Sequence, residues 1–174
     1  MRACTRCPEL VAGRTQVVVG STPPGARLLV VGEAPGAQED LTGVPFVGRS
    51  GQLLDRLLAE VGMPRPEVAV LNTVKCRPPA NRVPTRTETS SCRPWLEGQL
   101  VDVRPSVVVT LGLSATAWFL GRTTLSAVRG RVHEALGQRV LPTYHPAAAL
   151  RGGPNGEPAR LLREDLETAV RLCS

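Results

Sequence analysis

Leu28-Leu29-Val30-Val31-Gly32-Glu33-Ala34-Pro35-Gly36 is an apolar strand running into a Gly/Pro-rich turn that carries a carboxylate. Pro45-Phe46-Val47-Gly48 follows, with one of only two phenylalanines in the chain. In an open α/β sheet, ligands bind beyond the carboxyl ends of the strands, and a turn of this composition is where a pocket is built. Three more short apolar runs, at 68–72, 107–111 and 139–144, read like the first (27–31) as buried parallel strands. Helical patterns lie between them. Residues 51–61 place Leu53, Leu54, Leu57 and Leu58 on one face. A helix at 87–103 follows a capping Thr85 and carries Trp95, Leu96 and Leu100. A short apolar helix spans 114–120 and an amphipathic one spans 159–172. Strand alternating with helix predicts a three-layer α/β/α sandwich around a central four-stranded parallel sheet, with right-handed crossovers. A chain of 174 residues, 42% hydrophobic, suits one domain over 1–174.

No segment approaches the roughly 20 apolar residues of a membrane helix. The start, Met1-Arg2-Ala3-Cys4, lacks the apolar core of a signal peptide. The expectation is a cytoplasmic protein with no membrane partner. The net charge of +6 favours a polyanionic partner. Twenty Arg stand against a single Lys, and Arg suits bidentate phosphate contacts. Coding bias explains Arg over Lys but not the positive excess.

Five cysteines in a reducing compartment argue against a disulfide framework. Cys4 and Cys7 form a C-x2-C pair, and Cys76 and Cys92 form a second, looser pair about seventy residues on. Cys173 stands alone at the end, expected to be frayed and spare. Four thiolates from two distant segments can hold a tetrahedral zinc or an iron–sulfur cluster, and their spacing does not choose between the two.

The first strand delivers Glu33, the second Asn72 and the fourth Tyr144-His145-Pro146 to one rim, with Phe46 nearby. Alone, each reads as an ordinary turn or capping residue. Their convergence at strand ends is what points to chemistry. His133, the other histidine, falls in an expected β-turn among charged residues.

These blocks resemble a known family. Cys4-x2-Cys7-x6-Arg14-Thr15, Gly32-Glu33-Ala34-Pro35-Gly36 through Glu39-Asp40, Gly43-Val44-Pro45-Phe46-Val47-Gly48 and Gly51-Gln52-Leu53-Leu54 are similar to family 4 uracil-DNA glycosylases. So are Asn72-Thr73-Val74-Lys75-Cys76-Arg77-Pro78-Pro79 with Asn81-Arg82, and Thr143-Tyr144-His145-Pro146-Ala147-Ala148 with Leu150-Arg151. The resemblance runs from residue 4 to about 151. It implies a [4Fe-4S] cluster on Cys4, Cys7, Cys76 and Cys92, acting structurally. It also implies release of free uracil from single- or double-stranded DNA by a monomer, leaving an abasic site. Gly32, Glu33, Ala34, Phe46, Asn72 and His145 would form the uracil pocket. Within it Glu33 would handle water or stabilise the sugar cation, Phe46 would stack, Asn72 would read the base edge and His145 would face O2. Glu39 and Asp40 are close enough in sequence to share the role of Glu33. Arg77, Arg82 and Arg151 would contact DNA, with Leu150 as a wedge.

The chain departs from the pattern in places. It starts almost at the first cysteine, where similar proteins carry an N-terminal helix, so weaker cluster shielding is expected. Ser50 replaces an Ala, and Ala149 replaces a bulkier residue in the expected wedge loop. Residues 77–83 contain no histidine, so no covalent DNA adduct is expected. Two rival readings are a metal-stapled nucleic-acid-binding module and a small nucleotide-binding phosphohydrolase. The first leaves the Glu33, Asn72 and His145 convergence unexplained. The second lacks a P-loop Lys-Ser/Thr and a G-x-G-x-x-G.

Overall fold

The four apolar runs form the heart of the sheet in a computed structural model that describes residues 1–153 and 156–173. Strands β1 (Leu28–Gly32), β2 (Val68–Asn72), β3 (Val107–Leu111) and β5 (Gln138–Thr143) are mutually parallel in the order β2-β1-β3-β5. Every residue of the first three is buried, which is why they read as unbroken apolar runs. Alternate side chains serve opposite faces. Leu28, Val30, Val68, Val70, Val107 and Val109 pack with the leucines of α3 (Arg49–Glu60) and with Leu162 and Leu166 of α8 (Glu157–Cys173). Leu29, Val31, Ala69, Leu71 and Val108 pack with Leu96 and Leu100 of α4 (Arg86–Val103) and with Trp118 and Phe119 of α5 (Gly112–Leu120). The expected three layers are present.

The sheet has five strands, not four. The added β4 (His133–Ala135) pairs antiparallel with β5 at the edge. Leu136 and Gly137 both take positive φ, 53° and 70°, the backbone a tight two-residue hairpin requires. A three-residue, half-exposed edge strand carries no apolar run, so nothing in its composition announced it. His133 therefore lies in a strand, not a turn, and its Nε2 contacts the Val128 carbonyl at 3.0 Å.

Four short helices were also not foreseen: α1 (Pro8–Gly13), α2 (Ala37–Thr42), α6 (Leu125–Val128) and α7 (Pro146–Gly152). None exceeds seven residues, too short for an apolar period to show. The expected cap of α4 is present: Thr85 Oγ1 accepts from the Glu88 N–H (3.2 Å), and the Glu88 carboxylate accepts from the Thr85 N–H (2.7 Å). A third apolar cluster, of Leu10, Val17, Val74, Cys76 and Cys92, joins the N-terminal segment to the loop after β2. Cys173 is not frayed. It is 4% exposed and packed in the α8 core, apart from the other four cysteines. Among the described residues no helix is long and apolar enough to cross a membrane.

Candidate active site and cysteine centre

A cleft of about 1050 Å³ opens at the carboxyl ends of β1, β2, β3 and β5. Glu33, Ala34, Phe46, Asn72, His145 and Arg151 all line it, so residues from distant segments meet at the expected rim. Gly32 contributes by what it lacks. A Cβ there would stand 2.5 Å from Phe46 Cζ and 2.6 Å from Asn72 Oδ1, so glycine is what lets the ring and the amide approach.

Phe46 sits at φ 55°, a conformation that costs a non-glycine residue about 1–2 kcal/mol. The surroundings hold it there. Glu39 Oε1 accepts from the N–H groups of Val47 and Gly48 (both 2.9 Å), its Oε2 accepts from Gly36 (3.1 Å), and Arg65 donates to the Pro45 carbonyl (2.6 Å). A Cβ on Gly51 would collide with the Phe46 carbonyl. The ring ends up 5.9 Å, centroid to centroid, from that of His145.

The three candidate carboxylates separate cleanly. Glu39 is occupied clamping the Phe46 turn. Asp40, 2% exposed, accepts from the Thr15 N–H (2.9 Å to Oδ2) and ties the N-terminal segment to α2. Glu33 anchors only through its backbone carbonyl, which accepts from Thr73 Oγ1 (2.7 Å) and the Val74 N–H (3.0 Å). Its carboxylate lines the cleft without a protein partner among the described residues.

Asn72 is 3% exposed, and its Oδ1 is buried with no hydrogen-bond partner. Leaving such an acceptor unpaired costs about 1–3 kcal/mol, a cost a ligand donor would remove. At His145, burial, aided by the Arg151 charge, lowers the pKa to about 4, so the ring is neutral at neutral pH. Its Nδ1 accepts from the Ala147 N–H at 3.1 Å, capping α7. That bond fixes the neutral tautomer with the proton on Nε2, so the ring is an uncharged donor.

The remaining sequence assignments divide. Arg77 is half-buried, with Nε donating to Asn81 (2.8 Å). Arg151 is exposed at the cleft wall. Arg82 instead forms a fork with Glu88 (2.7 and 2.9 Å) and reaches Glu9 (3.2 Å). It is a strut of its loop, and phosphate would have to break that pairing. Leu150 is 37% exposed on α7 and does not line the cleft. Ala149, read as a wedge-loop departure, points into the core at 1% exposure. Sequence reasoning passed over Val83 and Leu113, which bring exposed apolar surface to the cleft wall (65% and 46% exposed), and Gly112 and Ser114 beside Leu113. The signal was available: β3 is a strand like the others, and its carboxyl end must also reach the rim.

Cys4, Cys7, Cys76 and Cys92 line a second, small cavity of about 20 Å³. N–H groups surround the sulfurs. Arg14 donates to Cys76 Sγ (3.0 Å), the Lys75 backbone N–H donates to Cys92 Sγ (3.3 Å), and the Trp95 indole N–H is buried beside them. Burial pushes the thiols of Cys7 and Cys76 up and that of Cys92 to about 11. At Cys4 burial acts the same way, but the Arg6 backbone amide, the Trp95 indole and the Arg6 and Arg14 charges outweigh it and lower the pKa. Free thiols gain little from such donors, whereas thiolates gain a charge-assisted bond from each. Zinc would need all four sulfurs about 2.3 Å from one point. Among the described residues no group of three or more His, Cys, Asp or Glu side chains is arranged to hold a metal ion. Four sulfurs met by N–H donors are the chemistry of a thiolate-bound metal centre.

Residues 19–167 match the Uracil DNA glycosylase superfamily. The chain is 44% identical over 172 residues to the type-4 uracil-DNA glycosylase of Thermotoga maritima, covering 97% of this chain and 88% of that protein. It is 40% identical over 184 residues to that of Saccharolobus solfataricus, covering 100% and 83%. It is 43% identical over 157 residues to that of Archaeoglobus fulgidus, covering 85% and 78%. With its strand-end cleft and its four converging cysteines, the chain belongs to the uracil DNA glycosylase superfamily.

Proposed function

We propose that this protein is a uracil-DNA glycosylase that takes uracil out of DNA and hydrolyses its N-glycosidic bond, with Glu33, Phe46, Asn72 and His145 doing the work. The observation that carries the reading is the buried, unpartnered Asn72 Oδ1, set beside an aromatic ring and a neutral histidine donor.

A base inside a duplex is out of reach, so it must be flipped out at a cost of a few kcal/mol in stacking and pairing. Phe46 offers it a new stacking surface. Asn72 accepts from uracil N3–H and donates to O4. Cytosine reverses that pattern and leaves both amide atoms unpaired. Rejection of thymine needs its C5 methyl space filled, by Phe46 or by neighbours in the turn that the Glu39 clamp holds.

When the C1′–N1 bond breaks, its electron pair stays with the base and spreads onto O2, while the sugar becomes oxocarbenium-like. His145 Nε2–H donates to O2 and gains strength as that charge grows, so it stabilises the transition state more than the bound substrate. A neutral donor suits this task because it need not surrender its proton. The Glu33 carboxylate stabilises the sugar cation and orients the water whose oxygen bonds to C1′. The water's proton leaves through Glu33 to solvent, and the uracil anion is protonated from solvent. Arg151 at the cleft wall and Arg77, bonded to the cleft-lining Asn81, meet phosphates.

Cys4, Cys7, Cys76 and Cys92 hold a [4Fe-4S] cluster in this reading, supported by the ring of N–H donors around them. Such a cluster would cross-link the N-terminal segment to the Arg77 loop, outside the path of the reaction. Incubation with single-stranded and duplex DNA containing one uracil tests the proposal. Free uracil and an alkali-labile abasic site are expected. Binding without release would leave a nucleic-acid-binding module and refute it.

A further inference from the structure

The chain has one lysine, and it is its largest fully buried side chain: Lys75 is 1% exposed. Burying an ammonium costs several kcal/mol unless it is paired, and the usual partner is a carboxylate. Among the described residues no carboxylate pairs with Lys75. Its Nζ donates to the Asn72 backbone carbonyl at 2.7 Å. Its backbone N–H meanwhile donates to Cys92 Sγ at 3.3 Å. Lys75 also lines the cysteine cavity, whereas Asn72 lines the cleft. A Met or Leu would fill the same slot without the desolvation cost, so packing does not explain a cation here.

We infer that Lys75 is a positioning residue that ties the base-reading Asn72 to the cysteine centre. One end of the residue holds the carbonyl of Asn72, and the other holds a cysteine sulfur. β2 is an edge strand, and Asn72 is its last residue. On its outer side the chain is held at Val70 by a bridge to Ser21 and at Lys75 by the Val18 N–H, which donates to the Lys75 carbonyl (2.8 Å), and between those points the Lys75 ammonium holds the Asn72 carbonyl. The ammonium is also the counter-charge next to an anionic thiolate-bound group. Filling the cysteine centre and presenting Oδ1 to the base thus share one strut. The inference rests on the reading of Asn72 as the uracil contact.

Lys75→Met in the iron-loaded protein keeps the stem and removes the ammonium. The expected result is normal iron content and melting temperature, with inhibition by free uracil about tenfold weaker. In a double-mutant cycle the Met change should then have little effect in an Asn72→Ala background, because it acts through Asn72. Lys75→Gln, a neutral donor able to reach the same carbonyl, should restore part of the loss. Unchanged uracil inhibition in an iron-replete Lys75→Met protein would overturn the inference, as would fully multiplicative effects in the cycle.

If Lys75→Met loses iron, the wild-type holoprotein decides. Saturating uracil should alter the visible circular dichroism of the cluster, and Asn72→Ala should abolish that change. No change in the wild type would overturn the strut. Normal uracil inhibition in Asn72→Ala alone would instead strike the reading of Asn72, which keeps the two failures distinct.

Discussion

Gly32→Ala is the most informative single perturbation of the cleft. The added methyl would lie 2.5 Å from Phe46 Cζ and 2.6 Å from Asn72 Oδ1, nearly 1 Å inside ordinary van der Waals separation at both. Neither neighbour can yield freely. Phe46 is fixed by the Glu39 and Arg65 hydrogen bonds and by contact with Gly51. Asn72 is held at its backbone by Lys75. Overpacking of this kind costs about 1–3 kcal/mol, and a misplacement of 1 Å at a reacting centre can cost about 100-fold. A loss of about 10- to 100-fold in kcat/KM for uracil release is therefore expected, with affinity for uracil-free DNA unchanged. Gly13→Ala, where nothing lies within 4 Å, serves as the control. Single-turnover assays on a uracil-containing oligonucleotide, with binding measured separately, make the comparison. Gly32→Ala within twofold of wild type would refute the idea that Phe46 and Asn72 jointly grip the base.

Other expectations follow from the same geometry. His145→Ala should lower the single-turnover rate by about 100- to 1,000-fold with DNA binding intact, whereas His133→Ala should be near normal. Because the folded His145 pKa of about 4 lies below the ordinary 6.5, the unfolded chain takes up a proton that the folded one refuses between those values. Stability should thus fall by about 3 kcal/mol as pH drops from 6.5 to 4, a slope that His145→Ala flattens, measurable by denaturant melts. A kcat/KM inflection near 6.5 that vanished in His145→Ala would contradict a neutral donor. Glu33→Gln should reduce the rate with little change in DNA affinity, whereas Glu39→Gln should also lower the melting temperature because it loosens the Phe46 turn. Purified protein should carry about four iron and four sulfide. Cys76→Ser should abolish this and Cys173→Ser should not, and stoichiometric zinc without iron after anaerobic purification would overturn the cluster. Arg77→Ala and Arg151→Ala should each lower the salt slope of DNA binding by about one, while Arg82→Ala should act on stability instead.

What the sequence alone determined was the set of features written in local periodicity and composition. Strands buried on both faces must be continuously apolar, so β1, β2 and β3 could be read directly and β5 from its buried Val140-Leu141 centre, and with them the rim where Glu33, Asn72 and His145 had to meet. The Thr85 cap and the leucine face of α3 were legible for the same reason: their partners lie within a few residues. Tertiary structure alone decided whatever depends on partners far along the chain. Three carboxylates, Glu33, Glu39 and Asp40, look alike in sequence. Only the fold commits Glu39 to the amides of 47 and 48 and Asp40 to that of Thr15, leaving the Glu33 carboxylate without a partner among the described residues. Likewise, Arg82 looks like any phosphate-binding arginine until folding brings Glu9 and Glu88 to it, and Cys173 looks loose until α8 docks. Burial sets the His145 pKa, and a missing methyl at Gly32 makes room for two side chains from distant loops. Desolvation and excluded volume are properties of packed space, and a linear pattern of residues carries neither until the chain has closed on itself.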